Sequence, residues 1–435
     1  MSPGAQIRAL AARVVWQVLD QRQSLKAVLA SARSEIDDPR DRALLEAISY
    51  AVIRHKRSLD HAASRLLQKA LPRDDAITQV LLLIGLAQLH LMKLPEHAAV
   101  SATVDAARLL GKAPRAALIN AILRRSLREG MAVSDDFAVH NNHPEWLVKQ
   151  LQADWPEDWR NIVRANNQQA PLWIRINGQR TSREAYAASL DQAGIAYAIG
   201  TLNGQSVLID PPMMPTRLPG WQEGLLAVQD QSAQLAADAL EISADMAVLD
   251  MCAAPGGKAA QLAACNPALL ALLDVVPERL KPIEELLQRL GLAGGNTVLH
   301  ACDATQALPE SLPAQFDAVL LDAPCSATGI IRRQPDVKWH RQPKDVTALN
   351  QLQWRLLKNA FRVLKPGGRL LYSTCSVLKA ENALMIEQFL TQNPDARAAP
   401  LAERFGRISG AGRQRFPGED GGDGFFYALI ERHEP

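Results

Sequence analysis

The stretch Asp250-Met251-Cys252-Ala253-Ala254-Pro255-Gly256-Gly257-Lys258 decides the fold. Apolar residues at 247–249 run into a carboxylate, then a tight glycine turn, then an alanine-rich segment. Strand, turn and helix in that order open a parallel α/β sheet. Gly256 and Gly257 let the backbone come close to a ligand without Cβ obstruction. The spacing matches neither G-x-G-x-x-G nor G-x-x-x-x-G-K-[ST], which disfavours a dinucleotide pyrophosphate and a triphosphate cradle. A lysine in a first helical turn is electrostatically disfavoured, so Lys258 points to a role in chemistry.

Downstream of this turn the pattern keeps alternating. Strands are predicted at 247–249, 269–273, 297–301, 318–321, 369–373 and 425–430, with helices between them such as 278–290 and 346–364. Lys365-Pro366-Gly367-Gly368 turns the chain from the long helix into the next strand. This predicts a doubly wound, Rossmann-like α/β domain over 231–435. In such sheets ligands sit beyond the carboxyl ends of the strands. Asp250, Asp274, Asp303, Asp322 and Cys375 all fall at or just after predicted ends. Asp274, 24 residues after Asp250, stands where a carboxylate takes ribose hydroxyls. Asp303 is a candidate for the exocyclic amine of adenine. An adenosyl cofactor without phosphates, S-adenosylmethionine, fits these positions.

The cysteines carry the second signal. There are five, Cys252, Cys265, Cys302, Cys325 and Cys375, with no CxxC pair. That excludes a disulfide or zinc framework and points to a reducing cytoplasm, with no metal. Cys265 and Cys302 read as small buried hydrophobes, and Cys252 as a lining of the cofactor turn. Cys325, in Asp322-Ala323-Pro324-Cys325, and Cys375, in Ser373-Thr374-Cys375-Ser376, sit in loops on the rim. Two rim thiols beside a methyl-donor turn suggest thiolate addition at C6 of a cytosine, with a carboxyl group holding N3 and the exocyclic amine. Lys258, or another nearby cation, would favour the thiolate. The target base must be unstacked to enter such a site. These residues alone do not rank the two thiols. Nearby, Arg332, Arg333, Lys338 and Arg341 interleave with Trp339, a mixture suited to phosphate contact and base stacking or to a charged loop over a helix start.

Upstream, residues 1–132 read as an all-helical domain. Asp38-Pro39 offers a cap and a first-turn proline. Residues 1–130 carry 20 Lys+Arg against 12 Asp+Glu, leaving 28 against 34 in the remainder. A basic module joined to a slightly acidic enzyme suits a phosphate backbone, although a solvated helical surface gives the same count. Arg8 and Arg13 interrupt the apolar residues of the start, which is not a signal peptide. The most apolar stretch, 80–92, is shorter than the roughly 20 residues of a membrane span. Between 143 and 230 a helix opening at Pro144 precedes strand, helix and strand material, read as a small α/β module of RRM-like type.

The stretches 250–258, Asp322-Ala323-Pro324-Cys325-Ser326-Ala327-Thr328-Gly329, Ser373–Ser376 and Gly422-Asp423-Gly424-Phe425-Phe426 resemble the signatures of the RNA cytosine-C5 methyltransferases of the NOL/NOP/Sun type. The resemblance implies that Cys375 is the nucleophile and that Cys325 assists product release, with Asp322 and Lys258 in the catalytic set. It implies cofactor contacts at Cys252, Ala253, Ala254, Pro255, Gly256, Gly257, Lys258, Asp274, Arg279, Asp303 and Asp322. His97-Ala98-Ala99-Val100 through 117–123 resembles the NusB-type RNA-binding domain. That domain before this catalytic module implies a 16S rRNA substrate, naked or in an early assembly intermediate, and a monomeric enzyme. A tRNA substrate and a non-catalytic RNA-binding assembly factor are the alternatives. Ala327 stands where many relatives have glycine, Ala259 where threonine is frequent, and Ala102 and Thr103 replace a frequent acidic position.

Overall fold

A computed structural model describes residues 4–433. The chain divides into two compact units: residues up to 168 with 331–342, and 169–330 with the chain from 343 onward.

The first unit is helical. Ala5–Leu19, Leu25–Arg33, Pro39–Arg54, Lys56–Leu66, Ala76–Leu86, Glu96–Leu109 and Ala116–Glu129 form its bundle. The expected start at 38–39 is present: Asp38 Oδ1 accepts the Arg40 amide at 2.8 Å, and Pro39 occupies the first turn. Ala76–Leu86 is buried without a break from Val80 to Leu86, which is why that part of it carries no polar face. At Gly85 a Cβ would fall 2.5 Å from the Leu123 side chain, so the glycine permits a close helix contact.

Glu145–Asp154 and Trp159–Asn166 join this unit, so the compact division falls at 168. The cause is polar stitching. Arg57 Nη1 donates to the His143 carbonyl at 2.7 Å, and the Ser58 amide donates to Asn142 Oδ1 at 2.9 Å. The buried His143 ring meets Asn166 Nδ2 at 3.2 Å.

The second unit holds two sheets. The smaller comprises β1 (Leu172–Ile176), β2 (Tyr197–Ile199), β3 (Ser206–Ile209) and β4 (Leu226–Val228). Its order is β2-β3-β1-β4, antiparallel throughout, with helix Arg183–Gln192 packed on it through Tyr186 and Leu190. Asn177 Nδ2 donates to the carbonyls of Gly224 and Leu290, both at 2.9 Å, tying this sheet to the larger one's helices.

The larger sheet contains β5 (Ala247–Asp250), β6 (Leu269–Asp274), β7 (Thr297–Ala301), β8 (Phe316–Asp322), β9 (Leu364–Thr374), β10 (Ala396–Ala399), β11 (Arg407–Ser409), β12 (Gly412–Arg415) and β13 (Phe425–Arg432). Its order is β11-β12-β13-β9-β8-β5-β6-β7, with β10 pairing β13. Strands β7 to β9 are parallel, and β13 runs antiparallel to β9. Apolar helices cover both faces, 231–238, 257–264 and 280–290 on one, 343–362 and 383–392 on the other. The chain winds outward from β5 in both directions, β6 to one side and β8 to the other. In sheets of this kind the ligand site lies at that reversal. No helix among the described residues is long and apolar enough to cross a membrane.

Candidate active site at the carboxyl rim of the larger sheet

β5 ends at Asp250, and the chain then turns through Met251–Gly256 into helix Gly257–Ala264. Gly256 has φ +102°, a conformation L side chains rarely adopt, and its amide closes the turn on the Ala253 carbonyl at 2.8 Å. At Gly257 an added Cβ would meet nothing closer than Gln229 at 3.7 Å. Arg175, from β1, buttresses the turn from below. Its Nη1 donates to the Gly257 carbonyl at 2.9 Å and to Gln229 Oε1 at 2.7 Å. Burial pushes this guanidinium down to about 9.

Three carboxylates follow the strands. Asp250 is 1 % exposed, takes the Cys252 amide at 3.3 Å on Oδ1, and has no protein partner on Oδ2. Burial, with repulsion from Asp322 behind it, pushes this carboxyl up to about 7. Asp274, also buried, accepts the Val276 amide at 3.0 Å and an ion pair from Arg279 at 3.3 Å. Arg279 Nη2 reaches back to the Ala254 carbonyl at 3.3 Å, so the second strand end and the glycine turn form one wall. Asp303 is exposed, and the Thr305 amide at 2.9 Å holds its carboxyl below the usual range. Burial pushes the Cys252 thiol far up, which suits a lining residue and not a nucleophile.

The reactive groups meet at the ends of β8 and β9. Register pairs Asp322 with Ser373, so the loops that follow leave the sheet side by side. Lys258 Nζ donates to Asp322 Oδ2 at 2.6 Å, while the Ser373 hydroxyl donates to Oδ1 at 3.0 Å. The lysine also lies 5.0 Å above the Phe425 ring, from the 422–426 stretch. The sulfurs of Cys325 and Cys375 are 3.4 Å apart. Cys325 is buried and Cys375 half-buried. The hydrogen bond to Cys375, then burial, holds the Cys325 thiol protonated well above the usual range.

The glycines of the same motifs are dictated by contact. The Gly329 amide donates to the Cys375 carbonyl at 2.9 Å and the Gly424 amide to the Gly329 carbonyl at 2.8 Å. A Cβ on Gly329 would sit 2.2 Å from the Gly424 oxygen. Ala327 has φ +61°, which explains the glycine common at that position and costs about 1 kcal/mol in alanine.

Two expectations are corrected. Cys265 is exposed at the end of its helix, so it is not a buried hydrophobe. Lys338, Trp339 and Arg332 of the expected phosphate-contact set are built into the helical unit. Lys338 is 1 % exposed and donates to the Arg54 carbonyl at 2.8 Å and to Asn167 Oδ1 at 3.0 Å. Burial pushes its ammonium well below the usual range. The Trp339 indole donates to the Ile53 carbonyl at 2.8 Å. Arg332 is buried, and its carbonyl accepts from Arg54 at 3.0 Å. Arg333 and Arg341 are half-buried. Segment 331–342 is an anchor of the helical unit because Lys338 and Trp339 are spent on its own acceptors.

The sequence reading missed Glu381, Ser326, Ser376 and Gln353, which lie buried behind the thiols. Nothing in Lys379-Ala380-Glu381-Asn382 distinguishes this glutamate from a solvated surface turn.

Strand order, glycine turn and the carboxylate after β6 define an α/β methyltransferase. Family models agree along the chain: NusB family at 5–128, a Methyltr_RsmF/B-like ferredoxin-like domain at 143–215, and 16S rRNA methyltransferase RsmB/F at 237–431. Ribosomal RNA small subunit methyltransferase B of Xanthomonas campestris is 48% identical, covering 98% of this chain and 97% of its own. The protein of the same name from Vibrio cholerae is 41% identical, covering 98% and 97%. The crystal structure of PH0851 superposes with a TM-score of 0.85 over 99% of both chains at 22% identity, a likeness of fold. The chain belongs to the ribosomal RNA small subunit methyltransferase B family. Its methyl donor is S-adenosylmethionine, and the open glycine turn, the orphaned Asp250 oxygen and the buried Asp274 fit that cofactor.

Proposed function

We propose that this protein methylates C5 of a cytosine in 16S rRNA through a covalent adduct on Cys375. The approach of Cys325 and Cys375 to 3.4 Å, beside Asp322 and Lys258, carries this reading. The glycine turn 252–258, Asp274 with Arg279, and Asp303 would hold S-adenosylmethionine. When bound, that cofactor supplies an electrophilic methyl group on sulfur.

An ordinary thiol of pKa ~8.5 is about 3% ionised at neutral pH, so forming the nucleophile costs roughly 2 kcal/mol. At 3.4 Å the Cys325 S–H can donate a hydrogen bond to the Cys375 sulfur whenever that sulfur carries charge. The Cys375 thiolate adds to C6, breaking the C5=C6 double bond and leaving C5 nucleophilic. Asp322, held by Lys258 and Ser373, accepts from the exocyclic amine and from the N3–H that forms as N3 takes up a proton during thiolate addition. After methylation at C5, transfer of the C5 proton to water re-forms C5=C6 as the C6–S bond breaks and the Cys375 thiolate leaves. The same S–H bond from Cys325 stabilises the departing sulfur. The base reaches the pocket unstacked.

The test is nucleoside analysis of 16S rRNA incubated with the protein and labelled S-adenosylmethionine. The expected product is 5-methylcytidine at one position. Label in a ring-nitrogen or ribose methyl group, or transfer to tRNA alone, overturns the proposal.

A further inference from the structure

Behind the two thiols lies a carboxylate that the proposed chemistry does not use. Glu381 is fully buried. Its Oε1 accepts the Ser326 amide at 2.8 Å and Gln353 Nε2 at 3.0 Å. Its Oε2 accepts the hydroxyls of Ser326 at 2.5 Å and Ser376 at 2.6 Å. Ser326 directly follows Cys325, and Ser376 directly follows Cys375. One side chain therefore grips both cysteine loops at the residue next to each sulfur.

The grip is itself fixed. Tyr372 Oη donates to the Glu381 carbonyl at 2.7 Å, and Asn382 Nδ2 donates to the Ser376 carbonyl at 2.9 Å. Gln353 Nε2 also reaches the Pro324 carbonyl at 2.9 Å, steadying the first loop from the long helix. Burying a carboxylate is costly unless its oxygens are satisfied by donors, and here both are. A neutral amide would offer one acceptor and one donor where the loops require two acceptors.

We propose that Glu381 is a positioning residue that sets the separation of the Cys325 and Cys375 sulfurs by tying their loops together. The roles of the two thiols rest on the reaction proposed above, but the separation itself does not. Without Glu381 the loops lose their common partner. The S–H to sulfur hydrogen bond then lengthens, and both nucleophile formation and release suffer.

The test uses the full chain with Glu381→Gln and Glu381→Ala. Diamide takes both thiol hydrogens onto its N=N bond and leaves the Cys325–Cys375 disulfide, assigned by peptide mapping; its rate reports sulfur proximity without RNA or cofactor. We expect closure about 10-fold slower in Glu381→Gln and slower still in Glu381→Ala. We expect kcat to fall about 100-fold in Glu381→Ala with KM for 16S rRNA and S-adenosylmethionine binding unchanged, and Glu381→Gln to recover part of it. Wild-type crosslinking rates in both variants overturn the proposal, as does a loss of kcat that merely follows lost cofactor binding. If Glu381→Ala does not fold, Ser376→Ala removes one link and carries the same expectations. Slowed crosslinking in the variants, with no methylation of 16S rRNA by the wild type, would defeat the reaction and leave Glu381 in its role.

Discussion

Residues 322–329 and 331–342 adjoin in sequence, and both carry side chains that suggest RNA chemistry, yet they end in different compact units with opposite fates. The first converges with 373–376 on a pair of sulfurs and a Lys258–Asp322 contact. The second spends Lys338 and Trp339 on main-chain carbonyls of the helical unit. The difference lies in what each pattern demands. A cysteine after a strand end, followed by a glycine that a neighbouring carbonyl allows no Cβ, has one structural solution. Basic residues around a tryptophan have two, because a guanidinium or ammonium caps a carbonyl as readily as it meets a phosphate.

The contrast can be broken by substitution. Cys375→Ala should abolish methyl transfer while leaving the unfolding midpoint in urea unchanged; turnover surviving in that variant would remove the rim from the chemistry. Lys258→Met, measured by single-turnover methylation, should cost about 100-fold or more by loosening Asp322. In the anchor segment the loss should appear as stability. Lys338→Met leaves the Arg54 carbonyl and Asn167 Oδ1 unpaired, at about 1–3 kcal/mol in urea unfolding, with the salt slope of RNA binding unchanged. A slope reduced by about one, at full stability, would return Lys338 to the phosphate contacts.

A further effect concerns pH. The Asp250 carboxyl titrates near 7 in the folded chain, above the roughly 3.9 of an unfolded aspartate. A raised carboxyl gives its full stability below the unfolded value and loses it as pH rises through the folded one. Wild-type stability should therefore decline from about pH 4 to pH 7, by at most roughly 1.4 kcal/mol per unit. Asp250→Asn should flatten that decline in cofactor-free urea titrations across pH 5–8. Parallel curves would show that Asp250 stays ionised.

The parallel core was legible because β5, β6, β8 and β9 are apolar runs ending in a polar residue, from 247–250 to 369–374. The antiparallel edge was not. Arg407–Ser409 and Gly412–Arg415 are too short to show alternation; the second forms on the edge of β13 and the first on the edge of the second. The long helix begins at Pro343, earlier than the apolar periodicity indicated. At the site, Asp322, Lys258 and both thiols could be found from strand ends and glycines. Glu381 could not, because its partners are set by tertiary approach and its local sequence is that of a surface turn.

The most direct measurement is a denaturing gel of Cys325→Ala protein mixed with 16S rRNA and S-adenosylmethionine, run beside Cys325→Ala/Cys375→Ala. The account predicts a covalent protein–RNA band in the single variant and none in the double, because Cys375 attacks and Cys325 assists release. A band of equal strength in the double variant would contradict it.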